Sequence, residues 1–287
     1  MEKIKITECP RDAMQGLSDF IPTDVKINYE NQLLKCGFDV LDFGSFVSPK
    51  YIPQWRDTAA VLEGLDLSST KTKLLSIVAN ERGAEDALNF EEISYLGYPF
   101  SVSETFQKRN TNIDIEGSWD RISAIANKAA QKNRSVLVYL SMGFGNPYGD
   151  PWNAEIVLKW ASRLYTELGV KILALSDTIG AATPELAAAV FKEIAPELPH
   201  VEFGAHMHVR PQDATKMIES VYNAGCRRFD GAINGFGGCP MAEDVLVGNM
   251  PTETMIDWME SNGMNLDIND DEFKKALKLS TNVFPLH

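Results

Sequence analysis

Two of the four histidines in the chain, His206 and His208, lie two residues apart at the end of a predicted strand. Side chains on one face of a strand repeat every two residues, so both imidazoles point to the same side. Asp12 follows the first predicted strand, and in a closed barrel its carboxylate would lie at the same mouth. Two imidazoles and a carboxylate suit an octahedral divalent cation such as Mg²⁺ or Mn²⁺. The alternative is that the histidines are hydrogen-bonded in a polar mouth and that Asp12 pairs with Arg11 or caps a helix.

A cysteine, Cys239, lies in the glycine-rich loop 235–240, which follows the last predicted strand. The neighbouring glycines allow positive φ angles and a mobile loop, where a thiol can be exposed to a ligand. The alternative is a loop that only turns the chain. The other three cysteines lie on strand or helix faces and are predicted to pack in the core; they are Cys9, Cys36 and Cys226.

Further polar side chains are found where the predicted strands end, namely Arg11, Asp42, Ser45, Glu104, Asn146, Tyr148, Asp177 and Thr178. Lys50 lies in a loop stiffened by Pro49 and Pro53, where it either faces a phosphate or carboxylate or is simply solvated. Lys108 and Arg109 form a second cationic patch near the mouth, although a charge pair in a loop is usually just solvated. Because function in a parallel barrel lies at the carboxyl ends of the strands, this shared position favours an active site there.

Short apolar runs alternate with helical patterns along the whole chain. Strands are predicted at 4–9, 38–43, 74–79, 98–102, 135–141, 170–176, 201–206 and 227–232. Helices are predicted near 23–35, 53–63, 83–91, 118–132, 154–168, 184–196 and 211–224, with Thr23 as the N-cap of the first. Strands that are apolar on both faces are typical of a parallel sheet covered by helices.

This order predicts an α/β fold, a single (βα)8 TIM barrel with extra C-terminal helices. One catalytic domain is expected over residues 1–287, with the barrel and its loops at about 1–250 and the helical extension at about 251–287. A doubly wound open sheet is the alternative. It would need a glycine-rich phosphate loop after the first strand, and residues 8–12 do not form one.

The composition of the chain excludes several classes of function. A net charge of −13 over 287 residues lacks the basic footprint of non-specific nucleic-acid binding. No run approaches the roughly 18 apolar residues of a membrane span. The charged N-terminus has no signal-peptide core, so a cytoplasmic location with reduced cysteines is expected. We therefore expect a small-molecule ligand, with neither nucleic acid nor membrane as a partner.

Seven motifs occur in order: PRDAMQG (10–16), SFVSPKYIPQ (45–54), SETFQKRN (103–110), SDTIGAATP (176–184), HMH (206–208), GFGGCP (235–240) and GNMPTE (248–253). Together they resemble the 3-hydroxy-3-methylglutaryl-CoA lyase family, within the metal-dependent lyases and aldolases built on a TIM barrel. The resemblance extends from residue 9 to about 254, and SFVSPK and GGCP are its most specific parts. It implies cleavage of hydroxymethylglutaryl-CoA to acetyl-CoA and acetoacetate, a divalent cation (Mg²⁺ or Mn²⁺), an acyl-CoA substrate and a possible homodimer.

The resemblance also implies roles for individual residues. The implied metal ligands are Asp12, His206, His208 and Asn249. Arg11 resembles the cation that faces the thioester carbonyl, Cys239 the catalytic thiol, and Asp177 an acid that positions substrate or transfers a proton. Asp42 completes the implied catalytic set, and substrate contacts are expected from Gln15, Ser45, Lys50, Glu104, Thr178 and Arg210.

Three positions depart from the family pattern. Ala13 replaces a glycine, Asp42 replaces a glutamate, and residues 209–212 (Val-Arg-Pro-Gln) replace Asp-Thr-x-Gly. The last departure leaves two alternatives open. One is a related metal-dependent aldolase, or an enzyme that condenses an acyl-CoA with a 2-oxo acid. The other is a non-catalytic barrel that binds coenzyme A or a metal.

Overall fold

Parallel strands close into an eight-stranded barrel in the computed structural model, which describes residues 3–237 and 247–284. The strands are β1 (Lys5–Glu8), β2 (Val40–Ser45), β3 (Lys73–Ile77), β4 (Ile93–Ser101), β5 (Ser135–Ser141), β6 (Ile172–Asp177), β7 (Glu202–Met207) and β8 (Arg228–Gly231). Neighbours in sequence pair in order, and β8 pairs back onto β1, with Thr7 opposite Asp230. The predicted TIM barrel is confirmed.

Helices follow the strands and cover the outside of the barrel. They are α1 (Pro10–Gln15), α2 (Thr23–Leu33), α3 (Thr58–Glu63), α4 (Glu81–Ala87), α5 (Glu104–Thr111), α6 (Ile115–Gln131), α7 (Ala154–Leu168), α8 (Pro184–Ile194), α9 (Ala214–Asn223), α10 (Thr252–Ser261) and α11 (Asp270–Ser280). Short 3₁₀ turns lie at Pro53–Trp55, Ala195–Glu197, Pro211–Asp213 and Ile233–Gly235. Within the described ranges, no helix is both long enough and apolar enough to cross a membrane.

Some element boundaries differ from the prediction, each for a local reason. The six-residue helix α1 was not predicted, because so short a segment shows no helical period. The largely polar α5 was missed as well, although Ser103 caps it by accepting a hydrogen bond from the amide of Phe106. Thr23 is not an N-cap: it lies inside α2 after Pro22, and its hydroxyl donates to Asp57 instead.

The interior of the barrel has two unlike halves. Residues inside the barrel alternate along each strand with those facing the helices. Six buried side chains of β2, β3, β5 and β6 form an apolar cluster, the apolar half, made of Val40, Leu75, Ile77, Leu137, Tyr139 and Ala174. The alternating positions of β1, β7 and β8 form the polar half, made of Lys5, Thr7, Cys9, Glu202, His206, Arg228 and Asp230.

Charged side chains at the base of the polar half pair with one another. Glu202 accepts hydrogen bonds from Lys5 and, at 3.0 Å, from Nη1 of Arg228. Arg228 also donates to the hydroxyl of Thr7 across the barrel, at 3.2 Å. The Arg228 stem fits because Gly204 has no side chain: a Cβ there would lie 3.0 Å from Cδ of Arg228. The base of this half is therefore a packed ionic layer.

The C-terminal helices pack outside the barrel. Helix α10 contacts α9 and β8, whereas α11 packs against α2 and contacts the 3₁₀ turn after β8. Thr252, at the start of α10, donates a hydrogen bond to the buried carboxylate of Glu8 on β1 at 2.6 Å. These contacts attach the extension to the first and last strands, beside the mouth of the polar half.

Candidate active site

Three side chains meet at the mouth of the polar half. Asp12 lies in α1, directly after β1; His206 is in β7, and His208 lies just beyond that strand's end. One ligand-capable atom from each of the three lies within 4.8 Å of the other two. The separation between Nε2 of His208 and Oδ2 of Asp12 is 4.0 Å. This metal cluster has the geometry and the donor types to hold a divalent cation.

Asn249 joins the metal cluster from the segment before α10. An isolated antiparallel bridge pairs it with His208. Its side-chain nitrogen donates two hydrogen bonds, both of 2.9 Å, to Oδ2 of Asp12 and to the carbonyl of Phe236. Because the amide nitrogen donates twice, the amide oxygen is the atom left to face a cation. The structure thus brings together all four residues that the sequence suggested as ligands.

Electrostatics favour the ligand-competent forms of Asp12 and His208. Burial would raise the pKa of Asp12, but Arg11 and the two histidines lower it to about 2. Burial, together with the neighbouring charge of His206, lowers the pKa of His208 to about 4. Near neutral pH, Asp12 is therefore ionised and His208 is neutral, which are the forms that coordinate metals.

A second carboxylate, Asp230 of β8, lies behind the metal cluster. Its Oδ2 is 3.3 Å from Nδ1 of His206, and among the described residues neither carboxylate oxygen of Asp230 makes a hydrogen bond. Burial alone would lower the pKa of His206, but Asp230 and Asp12 raise it above its ordinary value. A charge that favours a proton on this imidazole equally favours a metal cation on it. A carboxylate facing the second nitrogen of a histidine ligand is a frequent arrangement in metal sites.

Sequence reasoning missed Asp230. The available signal was a carboxylate inside the last predicted strand, where a parallel strand is otherwise apolar. Cys9 lies beside it, and a ligand-capable atom of Cys9 is within 4.8 Å of both Asp230 and His206. Burial and the charge of Asp230 raise the pKa of the Cys9 thiol well above its ordinary value, so the thiol is protonated. The predicted burial of Cys9, Cys36 and Cys226 is confirmed.

Arg11 lies next to the metal cluster and is held on three sides. Its Nε and Nη2 donate to the carboxylate of Asp42, with the shortest contact at 2.7 Å. Its Nη1 donates to Asp12 at 3.1 Å and to Gln15 at 2.6 Å. Burial would lower the pKa of Arg11, but Asp42 and Asp12 raise it further above its ordinary value. Asp42 and Gln15 therefore fix a permanent positive charge beside the cluster.

Asp177 ends β6 and organises the loop that follows. Its two carboxylate oxygens accept the amides of Ala181 at 3.0 Å and Ala182 at 2.8 Å. Burial raises the pKa of Asp177 although these amides act against it. The hydroxyl of the next residue, Thr178, contacts the sulfur of Met142 at 3.8 Å.

The remaining predicted contacts are distributed over other loops. Ser45 is buried, and its hydroxyl accepts the amide of Val47 at 3.2 Å. Glu104 pairs with Lys108 at 2.8 Å and accepts the amide of Ile115 at 3.1 Å, which joins α5 to α6. Lys50 is exposed beside the ring of Tyr51. Arg210 is exposed before the Pro211–Asp213 turn.

Cys239 lies outside the described residues. The described start of its loop runs along the metal cluster. Gly237 has a φ of +98°, and a Cβ there would lie 2.7 Å from the side-chain nitrogen of Asn249 and 2.8 Å from Cα of Ala13. Only glycine tolerates both this backbone angle and this close approach.

A closed parallel barrel with a histidine–carboxylate cluster at the carboxyl ends of its strands defines a class: TIM-barrel proteins able to hold a divalent cation at the mouth. Within that class the family is settled by comparison, because the HMGL-like family model matches residues 3–279. The chain belongs to the HMGL-like family, and the resemblance drawn from its motifs is confirmed.

A mammalian lyase and a bacterial lyase are similar to the chain over most of its length. The cytoplasmic 3-hydroxy-3-methylglutaryl-CoA lyase of Rattus norvegicus is 32% identical over 93% of this chain and 77% of its own length. A hydroxymethylglutaryl-CoA lyase of Bacillus subtilis is 32% identical, over 96% and 92% respectively.

Solved structures agree with the curated relatives. The Bacillus subtilis HMG-CoA lyase superposes with a TM-score of 0.91 at 31% identity, covering 98% of this chain and 94% of its own. The HMG-CoA lyase of Acinetobacter baumannii, solved in complex with coenzyme A and 3-methylmalate, has a TM-score of 0.89 at 27% identity, covering 98% and 91%.

Proposed function

We propose that this chain is a divalent-metal-dependent carbon–carbon lyase that cleaves 3-hydroxy-3-methylglutaryl-CoA into acetyl-CoA and acetoacetate. The observation that carries the proposal is the meeting of Asp12, His206, His208 and Asn249 beside the buried guanidinium of Arg11. Relatives named for this activity share 32% identity with the chain. A similar structure that contains coenzyme A supports an acyl-CoA substrate.

The four clustered residues would hold the cation. Their oxygen and imidazole donors, without a described thiolate ligand among them, suit Mg²⁺ or Mn²⁺. When bound, the ion would supply positive charge to the hydroxyl and the free carboxylate of the substrate. The buried carboxylate of Asp230 would keep His206 oriented toward it.

In the cleavage step, Arg11 and Asp42 would have separate roles. The tertiary hydroxyl gives its proton to a general base of the site as the carbon–carbon bond breaks, and the electron pair of that bond moves into a thioester enolate. The hydroxyl-bearing carbon becomes the ketone of acetoacetate. Arg11 would place its charge beside the thioester oxygen, where such a donor lowers the barrier by about 3 kcal/mol. Asp42 contributes by holding Arg11 in place.

The enolate must finally take up a proton to become acetyl-CoA. Cys239 and Asp177 are the two proposed donors for this step. Gln15, Ser45, Lys50, Glu104, Thr178 and Arg210 stay proposed substrate contacts. Lys50 and Arg210 are exposed cations that suit a carboxylate or phosphate group of an acyl-CoA. A homodimer and a cytoplasmic location stay predictions; the relatives include proteins named cytoplasmic and others named mitochondrial.

Acetyl-CoA release from hydroxymethylglutaryl-CoA tests the proposal directly. The purified chain is assayed with Mg²⁺ or Mn²⁺, then with excess chelator, and again after the metal is restored. We expect turnover that the chelator abolishes and the metal recovers. Turnover only with a 2-oxo acid would favour the aldolase or condensing alternative. A bound ion without turnover of any acyl-CoA would favour the non-catalytic alternative.

The substitution Arg11→Lys separates the proposed role of Arg11 from metal binding. A lysine keeps the charge but loses the planar fork that Asp42 and Gln15 hold. We expect kcat to fall roughly a hundredfold, the equivalent of about 3 kcal/mol. The bound metal content should stay near that of the wild type. Arg56→Lys, a change at an exposed arginine, is the matched control. An unchanged kcat in Arg11→Lys would contradict the role.

A further inference from the structure

The last described residue, Phe284, is buried against the loop that follows β8. It is 3% exposed. Its ring stacks on the ring of Phe236 with centroids 4.3 Å apart and planes inclined by 16°. Tyr29 of α2 meets Phe284 edge-on, with centroids 6.0 Å apart. The Phe284 ring is therefore fixed between the outer helix layer and the loop.

The backbone of Phe236 leads from this stack to the metal cluster. Its carbonyl accepts the side-chain nitrogen of Asn249 at 2.9 Å. The same nitrogen donates to Oδ2 of Asp12, also at 2.9 Å. A shift of Phe236 would thus change the orientation of the Asn249 amide and of the Asp12 carboxylate together.

The C-terminal helices contact the same loop at a second point. The side-chain amide of Asn234 donates to the hydroxyl of Ser280, at the end of α11, at 3.0 Å. The backbone amide of Asn234 donates to Glu253 of α10, also at 3.0 Å. Asn234 has a φ of 58°, in the left-handed region, so outside contacts help to hold the turn.

We infer that the segment Ser280 to Phe284 is a prop for the metal site, and that Phe284 is a positioning residue for Asn249 acting through Phe236. The inference rests on the proposed function in one respect, that Asn249 is a metal ligand. It gives the C-terminal extension a role in cation affinity in addition to any role in stability. The eight strand–helix units by themselves do not contain this contact, since Phe284 comes after the last of them.

A pair of matched substitutions in the C-terminal extension tests the prop. Phe284→Ala removes the stack on Phe236. Phe273→Ala removes an equally large ring from α11, where it is 6% exposed and contacts Phe38 with centroids 6.0 Å apart. Both variants leave a similar cavity and should lower the melting temperature. Only the first removes a ring that stacks on the loop after β8.

We expect the Kd for Mn²⁺, measured on the metal-free full chain by calorimetry or electron paramagnetic resonance, to rise about tenfold in Phe284→Ala. In Phe273→Ala it should stay within about twofold of the wild type, because its contacts lead away from the cluster. An unchanged Kd in folded Phe284→Ala would overturn the inference. An equal rise in both variants would do the same, since it would mean a general loss of structure.

Milder variants keep the test decisive if the alanine does not fold. Phe284→Leu keeps most of the buried volume without a planar stack, and a several-fold rise in Kd is expected. Phe284→Tyr keeps the stack and should restore near-wild-type affinity. A Leu variant that binds Mn²⁺ as tightly as the wild type would overturn the inference.

Binding and turnover separate this inference from the proposed function. A wild-type chain that binds Mn²⁺ but cleaves no hydroxymethylglutaryl-CoA would defeat the function and leave the prop supported by its own Kd values. A wild-type chain that binds no Mn²⁺ would defeat both.

Discussion

The two halves of the barrel interior stabilise the protein in different ways. The apolar half, from β2 to β6, is filled by side chains such as Leu75 and Leu137 that are fully buried. The polar half, from β1, β7 and β8, contains ionisable groups instead, among them part-exposed ones at its base and buried ones at its mouth. At its base Glu202 is paired with Lys5 and Arg228. At its mouth Asp230 and Nδ1 of His206 are buried without a hydrogen bond of ordinary geometry among the described residues.

This difference separates stability from function within one barrel. Buried polar groups that lack partners cost free energy, so the groups of this kind at the mouth end of the three strands are not explained by folding alone. The same strands satisfy their charges at the opposite end. The apolar half and the ionic base therefore hold the barrel, and the mouth of the polar half carries the chemistry.

Removal of a ligand from the mouth should have the largest effect. His208→Ala takes away a buried imidazole that is neutral at working pH. We expect the purified variant to retain no metal and turnover to fall at least a thousandfold, the equivalent of roughly 4 kcal/mol. Elemental analysis and initial rates measure both. His200→Ala, at an exposed histidine, is the control. Full metal occupancy in His208→Ala would refute the site.

A cavity in the apolar half should affect folding and leave the mouth intact. Leu137 is fully buried there. Leu137→Ala is expected to lower the free energy of unfolding by about 3 kcal/mol, since the space left by the side chain does not close. Urea titration gives this value, and Leu137→Met is the volume-conserving control. A large change in Mn²⁺ affinity would mean that the two halves are coupled and that the apolar half does not act on stability alone.

Removal of the carboxylate charge behind His206 should have an intermediate effect on metal affinity. Asp230→Asn keeps the size of the side chain and removes the charge that faces Nδ1 of His206 at 3.3 Å. We expect the Mn²⁺ affinity to fall between about 10- and 100-fold, as is typical when the supporting partner of a histidine ligand is changed. Calorimetric titration measures it. Equal Mn²⁺ affinities in variant and wild type would mean that Asp230 supports the fold and not the metal site.

A substitution in the ionic layer at the bottom of the polar half should have the smallest effect. The effect is on stability, and it depends on pH. Burial would raise the pKa of Glu202, but the hydrogen bond from Lys5 and the charge of Arg228 lower it below its ordinary value. A carboxyl group whose pKa is lowered in the fold contributes stability at neutral pH and loses that contribution as pH falls through the folded-state pKa. Glu202→Gln should therefore be less stable than the wild type by under about 1 kcal/mol at pH 7, with kcat unchanged.

Thermal melts of Glu202→Gln and the wild type between pH 7 and pH 3 check this sign. The two melting temperatures should converge as the solution becomes acidic. A gap that widens toward low pH would show that Glu202 is not held as a carboxylate. Loss of turnover in Glu202→Gln would show that the base and the mouth do not act independently.

Much of the fold followed from local patterns in the chain. Most strands were predictable because they are short apolar runs bounded by turn residues. The strand β5 was placed at its observed bounds, whereas β4 begins at Ile93, five residues before its predicted start. Helices α1 and α5 were not predicted, since one is too short for a period and the other too polar. His206, His208 and Asp12 could be singled out from residue type and spacing. Asp230 was missed although its carboxylate stands inside the last predicted strand, and its position facing His206 depends on the pairing of two strands.

The sequence by itself determined the alternation of strands and helices, the family motifs and the residue types available for metal binding. Local hydrophobic period and turn chemistry are short-range properties, and they can be inferred from adjacent residues. Only the tertiary structure decided that one half of the barrel interior is polar, that Asp230 faces His206, and that Phe284 stacks on Phe236. These contacts join residues far apart in the chain. They exist because barrel closure pairs β8 with β1 and because the C-terminal helices fold back over that junction.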